Sequence, residues 1–123
     1  MSSTPMRSTL FINTKGPYSS QATRESLDAA LASAAFGVPV GLLYLEDGVF
    51  QLKQGQTPNT ADLKRTAPIF QSLALYEISD IYVCEEDLHS RGLCQEDLLI
   101  DVTLVPTSQI GPLLASYDNL LSF

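Results

Sequence analysis

Apolar positions along the chain follow two regimes, short unbroken runs and longer stretches with helical spacing. Residues 8–13 place Thr9, Leu10, Phe11 and Ile12 in one run, which predicts a short buried first strand. A loop-like stretch with Gly16, Pro17, Ser19 and Ser20 follows. Residues 21–36 then set Leu27, Leu31 and Ala34 on one helical face, with Gly37 placed as a C-cap. Residues 38–45 are apolar apart from the Tyr44 hydroxyl, rich in Val and Leu, and too short for a typical helix. That composition suits a parallel strand covered on both faces.

Beyond this strand-helix-strand opening, residues 47–56 carry Gly48 and Gly55 around Val49, Phe50 and Leu52, which reads as a loop with one helical turn. Thr60 caps a second helix from Ala61, and Pro68 removes an amide donor, so a kink or a restart near Thr66 is expected. Ile69, Phe70, Leu73 and Tyr76 continue that apolar stripe. Ile81, Tyr82 and Val83 form a third strand. Residues 85–91 read as a helix because Glu85, Glu86 and Asp87 crowd the first turn while His89 and Arg91 sit in the last, before Gly92. A fourth strand over 98–105, a last helix over 108–116 with Pro112 near its first turn, and a fifth strand over 119–123 complete the pattern.

Strands alternating with helices through short connections predict an α/β fold, a three-layer α/β/α sandwich on a five-stranded parallel sheet of flavodoxin- or Rossmann-like type. Residues 1–6 are expected to fray, and 7–123 to form a single domain. The chain's 123 residues suffice for one core, and its 45% apolar content argues against global disorder.

Charge narrows the function classes. Seven basic against fourteen acidic side chains leave a net charge of −7, which repels a phosphate backbone, so direct nucleic-acid binding is not expected. No apolar run approaches the ~20 residues of a membrane span, and no signal segment opens the sequence, so a cytoplasmic protein is expected. Cys84 and Cys94 are too few for a disulfide scaffold and read as free thiols. With 17% charged residues and a mean hydropathy of +0.09, part of the apolar surface is expected to be an interface.

The carboxyl ends of the strands are where an open parallel sheet holds its ligands. After the first strand, Thr14-Lys15-Gly16-Pro17-Tyr18-Ser19 lacks any phosphate-binding glycine pattern. After the second, Glu46 and Asp47 lack the partners a metal centre needs, since His89 is the sole imidazole, and a solvated turn is the expectation. No metal or cofactor is expected. Ser26, Asp28 and His89 suggest no triad by spacing, and Cys94 reads as a loop residue.

Cys84 is the candidate catalytic residue. A cysteine that closes a strand and opens a helix has its sulfur near free amide donors, which favours the thiolate, whereas Glu85, Glu86 and Asp87 oppose it by charge. The alternative reading of Cys84 is a small buried hydrophobe.

Several segments share their order and spacing with a known family. They are Arg24-Glu25-Ser26-Leu27-Asp28-Ala29, Asp47-Gly48-Val49-Phe50-Gln51-Leu52 with Gly55-Gln56, and Leu75-Tyr76-Glu77-Ile78. Val83-Cys84, Arg91-Gly92-Leu93, Tyr117-Asp118 and Phe123 complete the set. On these the chain resembles the DsrE/DsrF-like sulfur-relay family in its TusC/DsrF branch. The resemblance implies a small α/β subunit in a hetero-oligomeric sulfurtransferase complex with TusB-like and TusD-like paralogues. There, persulfide sulfur arrives from a small carrier protein, rests on a cysteine of the TusD-like subunit, and moves toward 2-thiouridine at the tRNA wobble position; the DsrF branch serves dissimilatory sulfur oxidation.

Cys84 matches the TusD-like carrier cysteine, but Glu85-Glu86-Asp87 replaces the small uncharged residues usual beside it. The expectation is therefore an accessory, non-catalytic subunit. The rivals are an active persulfide carrier with Cys84 as nucleophile and, of a different class, a stand-alone small-molecule-binding domain.

Overall fold

The computed structural model describes residues 8–15, 22–52, 78, 80–98 and 100–123. The expected helix from Ala61 with its Pro68 kink, and the terminus over 1–6, lie outside these residues.

Five strands, β1 (Thr9–Asn13), β2 (Val40–Tyr44), β3 (Asp80–Cys84), β4 (Thr103–Val105) and β5 (Asn119–Ser122), form one sheet in the order β4-β3-β2-β1-β5. Every pairing is parallel. Three described α-helices accompany it, α1 (Ala22–Ala35), α2 (Glu85–Ser90) and α3 (Thr107–Ala115), with 3-10 helices at Glu46–Leu52 and Gln95–Asp97. This is the three-layer α/β architecture expected from the apolar pattern.

Side chains alternate across the sheet. Phe11, Leu42, Tyr44, Ile81 and Val83 face one layer, where Leu27 and Ala30 of α1, Val49 and Leu52 of the first 3-10 helix, and Leu88 of α2 close the main core. Leu10, Ile12 and Leu43 face the other layer, against Ile110, Leu113, Leu114 and Tyr117 of α3 and the turn after it. The order of strands explains the split. The steps from β1 through β4 run one way across the sheet, whereas β4 to β5 returns past β1, and a right-handed crossover then puts α3 on the opposite face.

Boundaries depart from the pattern in three places. The fourth strand is confined to Thr103–Val105; Leu98 makes an isolated bridge and Ile100 lies in a bend, both packed onto the main core, and Gln95 Nε2 donates to the Val102 carbonyl (2.9 Å), a polar tie outside the sheet. Apolar content ahead of Thr103 reflects core contact more than continuous strand pairing. β3 reaches one residue further than expected, to Cys84, which pairs with Val105. α3 starts at Thr107, so Pro112 is its sixth residue and lies beyond the first turn. The C-cap glycines stand where expected: Gly37 (φ 85°) after α1 and Gly92 (φ 75°) after α2 both adopt the left-handed conformation.

Candidate functional site at the carboxyl edge of the sheet

Cys84 occupies the junction between β3 and α2, with extended backbone angles (φ −67°, ψ 120°) as the residue preceding the helix. It is only 3% exposed. As Tyr82 faces α3 and Val83 the main core, the alternation carries Cys84 to the α3 side, where its Sγ lies 3.6 Å from the Thr107 hydroxyl.

Two of the three acidic residues after Cys84 are tied to backbone amides. Both carboxylate oxygens of Glu86 accept from the Thr107 N–H, at 3.0 and 3.1 Å, so Glu86 caps α3 from outside, where the preceding Pro106 supplies no capping side chain. The hydrogen bonds from Thr107 hold the Glu86 carboxyl below the usual glutamate range. Asp87 Oδ2 accepts from the Glu46 N–H (2.8 Å), the opening amide of the first 3-10 helix. Glu46 itself has φ 51°, an uncommon conformation for a side-chain-bearing residue. Asp87 thus fixes a strained corner at the end of β2. The charges that sequence reasoning set against the thiolate are accordingly shared with N–H dipoles of neighbouring elements.

Arg91 joins the same two elements. Its Nε donates to Asp47 Oδ1 (3.1 Å) and its Nη1 to the Asp87 carbonyl (3.2 Å). Asp47 therefore serves as an ion-pair partner of Arg91. Among the described residues no group of three or more His, Cys, Asp or Glu side chains is placed to hold a metal ion.

Next to it the backbone closes tightly. A Cβ on Gly48 would collide with the Asn13 carbonyl oxygen, which already accepts from the Leu45 N–H (3.0 Å). Buried Gln51 donates to the Lys15 carbonyl (2.6 Å), and Thr14 Oγ1 to that of Phe123 (3.2 Å). Gly16 to Ser19 lie outside the described residues.

The other candidates do not converge. Ser26 is sealed under α1 while Asp28 and His89 are exposed, and no hydrogen bond joins them among the described residues. Cys94 is exposed at the head of the second 3-10 helix, its Sγ 3.3 Å from Asp97 Oδ2; hydrogen bonding to Glu96 and Asp97 pushes its thiol up to about 11. Thr107 was not singled out by sequence. The signal available was its place directly after Pro106, since a Pro-Thr pair ending an apolar run is a helix start.

A family model described as the DsrE/DsrF-like family matches residues 7–123. A protein TusC homolog of Vibrio vulnificus is 41% identical over 107 residues, covering 87% of this chain and 91% of that one. Another of that name from Pseudomonas aeruginosa is 38% identical over 116 residues, covering 94% and 98%. Among solved structures, the ychN protein of E. coli superposes with a TM-score of 0.81 at 20% identity, covering 96% of this chain and all of that one. A protein of unknown function from Methanobacterium thermoautotrophicum gives a TM-score of 0.63 at 13% identity, covering 96% and 99%. These two likenesses support the fold, while the family model and the curated relatives each span most of the chain, and the chain belongs to the DsrE/DsrF-like family.

Proposed function

We propose that this protein is an accessory subunit of a sulfurtransferase complex that relays persulfide sulfur, built with TusB-like and TusD-like paralogues and serving 2-thiouridine formation in the tRNA wobble position. Membership of the DsrE/DsrF-like family and the similarity to TusC homologs support the relay. One observation carries the accessory role. Cys84 is 3% exposed, its sulfur against the Thr107 hydroxyl at the start of α3, and Glu86 and Asp87 beside it are engaged in capping neighbouring elements. The chain presents surface for assembly: Phe36 is 81% exposed, Leu120 45% and Leu121 46%.

The second reading, an active carrier, draws on the strand-to-helix position of Cys84 and the Thr107 hydroxyl 3.6 Å away, which is suited to donate to a sulfur anion. Reconstitution with the two paralogues decides between them. Under the accessory role Cys84→Ser leaves sulfur transfer nearly intact with a modest loss of stability, because a smaller, more polar hydroxyl replaces a buried thiol. Abolished transfer, with a one-sulfur mass increment on Cys84 that can be chased onto the next carrier, makes this chain a carrier. A native mass equal to the monomer in the presence of both paralogues rules out the assembly.

A further inference from the structure

We propose that the first turn of α3, latched by Glu86, is a cover over the Cys84 end of the sheet, so that the thiol is reached only when this turn unwinds. The two ends of α3 are held very differently. Its C-terminal end runs into a fixed corner. The Tyr117 ring lies where any Cβ on Gly41 of β2 would be, Asp118 Oδ2 accepts from the Ser8 N–H (3.0 Å), and Ser8 Oγ accepts from the Asp118 N–H (3.2 Å). β5 follows at once, paired along β1.

The N-terminal end has few ties of its own after Val105, which pairs with Cys84 in the sheet. Ile110 is its only partly buried residue before Gly111, and no residue of α3 is fully buried. Thr107 is held by Glu86 through its amide and touches Cys84 through its hydroxyl.

Between these ends lies a weak point. Pro112 has no N–H to return to the Ser108 carbonyl, and Gly111 before it is a poor helix residue with open space where a side chain would stand. Loss of the Glu86 contact frees the first turn to unwind between Val105, held in the sheet beside Cys84, and Gly111-Pro112, while Leu113, Leu114 and Tyr117 stay on Leu10, Ile12 and Leu43. Such opening is a local event, distinct from global unfolding. It does not depend on whether Cys84 carries sulfur or on assembly with paralogues, so its failure leaves the proposed function standing.

Thiol labelling tests the cover on the full chain carrying Cys94→Ser, with Ellman's reagent in native buffer and at low denaturant. Cys84 is expected to react through an opening whose denaturant dependence is well below that of global unfolding. Glu86→Ala should raise the rate about fivefold, the equivalent of a lost helix cap. Gly111→Ala, which fits the open space and stiffens the helix, should lower it by about the same factor. Glu85→Ala removes one negative charge from the same turn but no bond to Thr107, and should change the rate less than about twofold. The proposal is overturned if labelling follows the global unfolding slope in every variant, if Glu86→Ala and Gly111→Ala both leave the rate unchanged, or if Glu85→Ala accelerates it as much as Glu86→Ala.

Discussion

Gly48 and Gly41 are both glycines because something already occupies the place of a side chain, but the neighbours differ in how far they can yield. At Gly48 the obstacle is the backbone carbonyl of Asn13, fixed by the β1–β2 ladder. At Gly41 it is the far end of the Tyr117 side chain, which yields more readily than a backbone carbonyl. Gly48→Ala is expected to destabilise the fold by about 2–4 kcal/mol, and Gly41→Ala by less, in denaturant titrations; equal effects would contradict this account.

Cys94 gives a second residue-scale expectation. Its thiol is raised to about 11, first by hydrogen bonding to Glu96 and then to Asp97, so alkylation by iodoacetamide should stay slow through pH 9 and accelerate only toward that value. A folded-state value above the ordinary one means the associated stabilisation is present at lower pH and is lost as pH rises through about 11. An alkylation midpoint at or below the ordinary thiol value would show that these contacts do not hold in solution.

At the scale of elements, the acidic turn after Cys84 is where local reasoning reached furthest and then stopped. Glu85, Glu86 and Asp87 in a first turn were legible as a helix start, and α2 is there. Their partners were not legible, because Glu86 reaches α3 and Asp87 reaches Glu46, contacts that exist only once three strands lie side by side. The same limit explains 98–105, where apolar content marked burial but could not separate a strand from a segment lying against the core. Cys84 was legible as a junction residue; its burial under Thr107 required the chain to cross to the opposite face.

The Glu86 contact has a titration signature. A carboxyl held below its ordinary range by Thr107 stabilises α3 above the ordinary glutamate value and stops doing so as pH falls through its folded value. The Thr107 amide resonance should therefore shift with a midpoint below that of a glutamate without such hydrogen bonds, and Glu86→Gln should abolish the shift. A midpoint at the ordinary value would remove the cap.

For the whole molecule, charge and surface point to association through protein contacts. With a net charge of −7, the isolated chain is expected to show no tRNA binding in a filter assay at physiological salt. Salt-sensitive micromolar binding would contradict that and would indicate a basic surface that composition conceals. No described helix is long and apolar enough to cross a membrane. The α/β class and parallel sheet were readable because alternating apolar runs and helical stripes fix local structure and the crossover rule fixes handedness. The position of β5 was not, since a final strand can add at either edge.

That position sets an order of events during synthesis. β1 is made before every other strand of the sheet, yet one of its flanks is filled only by β5, and Thr9 pairs with Asn119 while Ser8 bonds Asp118 across a separation of 110 residues. A chain growing from its amino end therefore carries β1 with one side unpaired until the whole of α3 and the turn after it have been made. In that interval Leu10, Phe11 and Ile12 form an apolar strand open to other nascent chains, and closure of so long a loop is slow. Quality of expression, more than equilibrium stability, is where substitutions in β5 should first be felt.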